Sequence, residues 1–304
     1  MNASPPRFPD DFVFGVATAA YQVEGHIEND WSDWERAGRV KHVAGAGVDH
    51  WNRWSEDYRL TRDLGATAFR MSLEWARIEP QRGRFDEAVL DGYRRRLVAM
   101  TEVGLRPVVT LHHFTHPTWF HRETPWHLPE SVAAFRRYAR ACAQVLRGVD
   151  AVVLTFNEPM VLLLGGYVQG VIPPGIADPR LAMPALGNIG RAHAGAREEL
   201  LTHAGRLPIG TSQNMLAFSA DRAWNPMDHA LVPMGSRPAW VSSSSRAPAC
   251  ARPMLPRAGI ARRGSAIPGG MTPCTYPPSS NTIGSLKVNT TASMPRSTWA
   301  QARA

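Results

Sequence analysis

Val152-Val153-Leu154-Thr155-Phe156-Asn157-Glu158-Pro159 decides how this chain is read. Five β-branched or apolar residues in succession fit a strand covered on both faces, as in a parallel sheet. The run then ends in an amide, a carboxylate and a proline. An unpaired carboxylate buried at such a place is costly. Two readings of Glu158 follow: a salt-bridged residue at a strand end, or a group that lines a cleft and handles a proton.

The flanking sequence repeats the same unit. Strand-like runs cover Phe12 to Thr18, Ala68 to Trp75, Pro107 to Leu111, Ala151 to Phe156 and Ile209 to Met215. Helix-period patterns lie between them. The first carries Trp51, Trp54, Tyr58 and Leu64, the second Val89, Tyr93, Leu97 and Met100. The third carries Val132, Phe135, Ala139, Cys142 and Leu146, and the last Leu186, Ile189, His193 and Leu200. Gly65, Gly104, Gly148 and Gly205 follow these helices at positions suited to their caps. This β-then-α order implies a parallel sheet, either doubly wound or closed as a (β/α)8 barrel. Polar residues gather just after the strands: Gln22, Glu74-Trp75, His112-His113, Asn157-Glu158 and Gln213-Asn214. In a barrel these tips meet at one mouth. The absence of a Gly-rich phosphate loop after the first strand weakens a nucleotide-binding reading.

Composition separates two kinds of sequence. The net charge of +8 suggests nucleic acid or a membrane surface as a partner, but the charge is unevenly placed. Residues 1–228 hold all 26 Asp+Glu and 25 of the 34 Lys+Arg, whereas residues 229–304 hold nine Lys+Arg and no acid. From about Val232 the periodicity ends in a serine run, Ser242 to Ser245, and ten prolines between 233 and 295. The division expected is therefore 1–231 as a folded α/β part and 232–304 as a basic, disordered tail without homology to the rest. A reading-frame shift near residues 232–238 accounts for so abrupt a change. No apolar leader and no run of about 18 apolar residues is present, so neither export nor a membrane span is expected. Cys142, Cys250 and Cys274 have no metal-binding spacing, and the cytosol is the expected compartment.

Four ordered segments carry a resemblance. They are Phe8-Pro9-Asp10-Asp11-Phe12 through Gly25, Arg70-Met71-Ser72-Leu73-Glu74-Trp75-Ala76-Arg77, Thr110-Leu111-His112-His113-Phe114 and Thr155 to Pro159. Together they resemble glycoside hydrolase family 1, the β-glucosidase and β-galactosidase family, over residues about 8–231. The resemblance implies a (β/α)8 TIM barrel, of which about the first five β/α units are present. It also implies a retaining β-glycosidase that acts on small β-glycosides or oligosaccharides and needs no cofactor or metal. Glu158 would be the general acid/base. Asn157 would hold the sugar 2-hydroxyl, Gln22 and His113 would bind the glycon, and Arg70 would support the nucleophile. One departure is visible: Phe114-Thr115-His116-Pro117 stands where the family often has Trp-Asp-Leu-Pro, which leaves Phe114 as a wall of the site.

Retaining hydrolysis needs two carboxyl groups roughly 5–5.5 Å apart, one acid and one nucleophile. In the family the nucleophile lies late in the chain, and here no Asp or Glu follows Asp228. A nucleophile is thus absent from this chain as written, and hydrolysis near background is expected. An open half-barrel also exposes unpaired strand edges, so an aggregation-prone product is expected. Glu74 and Glu79 read as ion-pair partners of arginines such as Arg77, and His193 as a packing or surface residue. A zinc site from His112, His113, His116 and His121 fits no usual ligand spacing. Two further readings stand beside the glycosidase: a non-catalytic sugar-binding remnant, and a basic-tail protein that holds nucleic acid without sequence preference.

Overall fold

The computed structural model describes residues 8–9 and 12–214. The chain divides after Asn214, and the unit ending there is described by itself. The disorder expected of residues 232–304, and the frame shift near 232–238, lie outside the described residues.

Five strands form one sheet: β1 (Gly15–Ala17), β2 (Ala68–Ser72), β3 (Arg106–His112), β4 (Val152–Asn157) and β5 (Ile209–Ser212). Every pairing is parallel, and the order in space is the order in sequence. Ala17 pairs with Arg70, Ser72 with Thr110, and His112 with Phe156. A doubly wound sheet reverses its order at a switch point, and this one never does. It is the first five β/α units of a TIM barrel.

The helices are α1 (Ala20–Val23), α2 (Asp30–Arg36), α3 (His50–Asp63), α4 (Trp75–Ile78), α5 (Glu87–Glu102), α6 (Thr118–Glu123), α7 (Glu130–Leu146), α8 (Pro159–Leu162) and α9 (Pro179–His203). A π-helical turn, Leu163–Gln169, continues α8. The long crossovers are α3, α5, α7 and α9; α7 lies between α5 and α9. Local chemistry sets their ends. The Asp86 side chain accepts the first free amides of α5, from Ala88 and Val89 at 3.0 and 3.1 Å. Gly104 ends that helix with φ of +76°, a left-handed step a side chain resists.

The core is aromatic where sheet and helices meet. Trp75 stacks on Tyr138 at 4.7 Å, and Phe135 meets Phe156 at 4.6 Å. The Tyr138 hydroxyl lies 3.0 Å from both the Leu73 and Leu111 carbonyls and so ties α7 to the tips of β2 and β3. These contacts hold the sheet's C-terminal edge, where the polar residues stand.

Three expectations need correction. The first strand begins only at Gly15, because Phe12 and Phe14 turn aside to pack on Phe8. The second ends at Ser72, because the chain turns into α4 at Trp75. Leu64 does not share the packed face of α3: it caps the helix and is 78% exposed.

Candidate active site

Asn157 is the last residue of β4, and Glu158 is the first beyond it. Glu158 takes the left-handed conformation, φ 42° and ψ 63°, and starts α8 with Pro159 in its first turn. A non-glycine residue there costs about 1–3 kcal/mol, and such strain concentrates at functional sites. The Glu158 amide donates to the Ser212 carbonyl at 2.8 Å, which anchors the strained residue to β5.

Arg70 reaches this tip from β2. Its Nη2 donates to Asn157 Oδ1 at 2.5 Å and its Nε to Thr110 Oγ1 at 3.1 Å. Asn157 Nδ2 in turn donates to Glu158 Oε2 at 3.2 Å. The three side chains form a line from cation through amide to carboxylate. Burial pulls the Arg70 guanidinium below its ordinary value, and the charge of Glu158 opposes that.

His113 follows β3 directly. Burial, and then the Arg70 charge, push its imidazole down to about 4, so it is neutral at pH 7. Its Nδ1 is buried without a hydrogen-bond partner, as suits a ring that meets a neutral polar ligand. Phe114 beside it has φ of +65° and is only partly buried.

Hydrogen bonds join Arg70, Asn157 and Glu158, and His113 stands within the field of the Arg70 charge. Gln22 enters from another element. It is exposed in α1, which is pinned to the tip of β2 by the Ala20 amide donating to Ser72 Oγ at 2.8 Å. Among the described residues no hydrogen bond joins its side chain to Arg70, His113, Asn157 or Glu158.

The pairing expected for Glu74 is corrected. Arg77 binds Glu24 at 2.9 Å instead, with the Tyr93 hydroxyl on the same carboxylate. Glu74 is buried with no cation; it accepts from Thr115 Oγ1 at 3.1 Å and more weakly from Asn29 Nδ2 at 3.4 Å. Burial, and then the charge of Glu24, push its carboxyl up to about 8. Glu79 likewise takes Trp75 Nε1 at 2.7 Å rather than an arginine.

The four histidines do not converge on a point. His116 Nδ1 meets Asp30 Oδ2 at 2.7 Å, and its Nε2 meets Trp126 Nε1 at 2.7 Å and His112 Nε2 at 2.8 Å. Its ring nitrogens are thus occupied by the protein. His193, on α9, reaches Thr155 Oγ1 at 2.7 Å and packs behind β4. Cys142 is a buried free thiol, and its burial pushes it well above the ordinary range.

Sequence reasoning missed the segment Asn29 to Trp31. Asn29 caps α2 by accepting from Trp31 N and Ser32 N, both at 3.0 Å. Trp31 Nε1 then donates to the Phe114 carbonyl at 2.8 Å and holds the loop after His113. The available signal was Asn29-x-x-Ser32 spanning Trp31, a variant of the capping-box pattern.

One carboxylate, one cation, one amide and one neutral imidazole offer donors and acceptors to a polyhydroxylated ligand and a proton to a leaving oxygen. The sequence pattern of glycosyl hydrolase family 1 matches residues 4–226. The chain belongs to that family. It is 34% identical to the β-glucosidase of Agrobacterium sp. over 223 residues, 70% of this chain and 49% of the relative. Against β-glucosidase A of Thermotoga maritima it is 35% identical over 200 residues, 62% of this chain and 45% of the relative. The β-glycosidase from Pyrococcus horikoshii superposes with a TM-score of 0.68 at 32% identity, covering 77% of this chain and 54% of that one. The family 1 β-glucosidase from Thermotoga maritima, solved with isofagomine lactam, gives 0.67 at 32%, with 75% and 53% covered. The chain thus spans about half the length of the curated family 1 relatives it matches. Among the described residues no helix is long and apolar enough to cross a membrane.

Proposed function

We propose that residues 1–231 are the acid/base half of a retaining family 1 β-glycosidase site for small β-glucosides. The observation that carries this reading is the hydrogen-bonded line from Arg70 through Asn157 to Glu158. It sets a strained carboxyl group beside a guanidinium and an amide at a strand tip.

In this reading Glu158 gives its proton to the glycosidic oxygen while a second carboxylate attacks the anomeric carbon and the aglycone leaves as an alcohol. Glu158 then takes a proton from the water that attacks the same carbon, which frees the sugar and the second carboxylate. Asn157 donates to the 2-hydroxyl, a bond that strengthens as charge develops on the ring. Neutral His113 and the exposed Gln22 bind hydroxyls of the glycon. Arg70 lies where the second carboxylate is to stand and favours its ionised form.

The second carboxylate is not among residues 229–304, which contain no Asp or Glu. A chimera tests the reading: residues 1–226 followed by the part of the Agrobacterium sp. enzyme beyond its matched half. It hydrolyses 4-nitrophenyl β-D-glucoside. A folded chimera without turnover contradicts the proposal.

A further inference from the structure

We propose that Asp30 and Trp31 are positioning residues: with Asn29 they clamp the turn that carries His113 and Phe114, and so fix where those two rings meet a sugar. That His113 meets a sugar rests on the family 1 reading; the clamp does not.

The cap and first two residues of α2 face three consecutive residues just after His113. Trp31 Nε1 donates to the Phe114 carbonyl at 2.8 Å. The Asp30 amide donates to the His116 carbonyl at 3.1 Å, and the His116 amide returns a bond to Asp30 Oδ1 at 2.9 Å. Asn29 reaches Thr115 through Glu74, whose two carboxyl oxygens take Asn29 Nδ2 at 3.4 Å and Thr115 Oγ1 at 3.1 Å. Glu74 lies two residues past the end of β2, so the clamp bridges the tip of that strand. The turn needs such ties, because Phe114 is held in the left-handed region at φ of +65°.

The Asp30–His116 pair has one proton arrangement that satisfies its atoms. Both side chains are buried. Trp126 Nε1 lies 2.7 Å from His116 Nε2, and an indole can only donate. His116 Nε2 is therefore an acceptor, and the ring proton sits on Nδ1, 2.7 Å from Asp30 Oδ2. Asp30 receives it as a carboxylate. Burial pushes the Asp30 carboxyl up to about 7, and the bond from the His116 amide opposes that. Burial also pushes the His116 imidazole down to about 3, which keeps the ring neutral. Trp126 is tied in turn to α9, where Asn188 Nδ2 donates to its carbonyl at 2.7 Å. The clamp thus runs from α2 across the turn to α9.

A buried polar network with its partners in place rigidifies what it joins. A ring that binds a sugar hydroxyl needs that rigidity, since a ligand-binding group must be held to within about 0.5 Å. Asp30→Asn cannot keep the geometry. With its Nδ2 toward the His116 ring, the ring proton must move to Nε2 and face the Trp126 N–H. Turned over, the same Nδ2 faces the His116 amide. Trp31→Phe removes only the bond to the Phe114 carbonyl, from a half-buried ring.

The test treats the full chain at pH 8 with diethyl pyrocarbonate, which acylates the neutral imidazoles it can reach. Mass spectrometry follows each histidine. In both variants half-buried His113 is expected to react at least tenfold faster than in the parent, while His50 in α3 and His193 in α9 keep their rates. An unchanged rate at His113 overturns the clamp. So does an equal acceleration at His50 and His193, which marks loosening of the whole fold. Hydrolysis by the chimera is read separately. Both substitutions are expected to lower its kcat/KM on 4-nitrophenyl β-D-glucoside at least tenfold and to leave the shape of its pH profile unchanged, because Glu158 is untouched. A faster His113 with unaltered kcat/KM upholds the clamp and counts against His113 as a sugar ligand.

Discussion

Against 4-nitrophenyl β-D-glucoside the full chain alone is expected to turn over at background, on the order of 10⁵–10⁶-fold below the chimera that carries its residues 1–226. The reason is chemical. A retaining site works as a unit, and an acid without a nucleophile has no glycosyl-enzyme intermediate to form. Of the carboxyl groups near the sheet's C-terminal edge, Glu74 is buried under Thr115 and Asn29, and Glu24 is bound to Arg77 and Tyr93. Neither is free to attack a sugar held against Glu158. Turnover by the full chain within tenfold of the chimera would show that some carboxylate of this chain does serve.

The second large effect is on stability. Glu74 has an ordinary value of 4.5 in the unfolded chain and about 8 in the folded one. The folded state therefore binds this proton more tightly. Stability is full below about pH 4.5 and is lost progressively as pH rises to about 8, by up to roughly 5 kcal/mol. Glu74→Gln keeps the shape of the protonated acid and its hydrogen bonds to Thr115 and Asn29, and it cannot ionise. The variant is expected to match the parent in urea unfolding at pH 5 and to exceed it increasingly through pH 7 and pH 9. The difference between the two chains isolates Glu74 from Glu24, which burial also raises, and from His112 and His116, which burial lowers. Parallel midpoints at all three pH values would mean that Glu74 is ionised where it stands.

The central strands were legible because apolar and β-branched residues dominate each of them. The long helices were legible because α5 and α7 carry their apolar residues at helical spacing and close on Gly104 and Gly148. Strand order then excluded the doubly wound alternative, which no local pattern distinguishes. The short helices α1, α2, α4 and α6 were not legible. Each has four to seven residues, too few for a period, and each is held by particular tertiary bonds such as Ala20 N to Ser72 Oγ. At the site, Asn157 and Glu158 announced themselves as polar residues that end an apolar strand. The partners of Glu74 and Arg77 did not, because charge type alone says nothing of which carboxylate faces which guanidinium. Trp31 escaped because its indole acts on the Phe114 carbonyl 83 residues away.

The most direct measurement is kcat/KM of the active chimera, with and without Glu158→Gln, on a β-glucoside whose leaving group is a simple alcohol. Such a substrate needs its leaving oxygen protonated, and a positioned general acid contributes about 10²–10⁴-fold. The account predicts a loss of that size, and a much smaller loss in the glycosylation step for an activated aryl glucoside. Equal rates on the alkyl glucoside, with and without the carboxyl group, would contradict it.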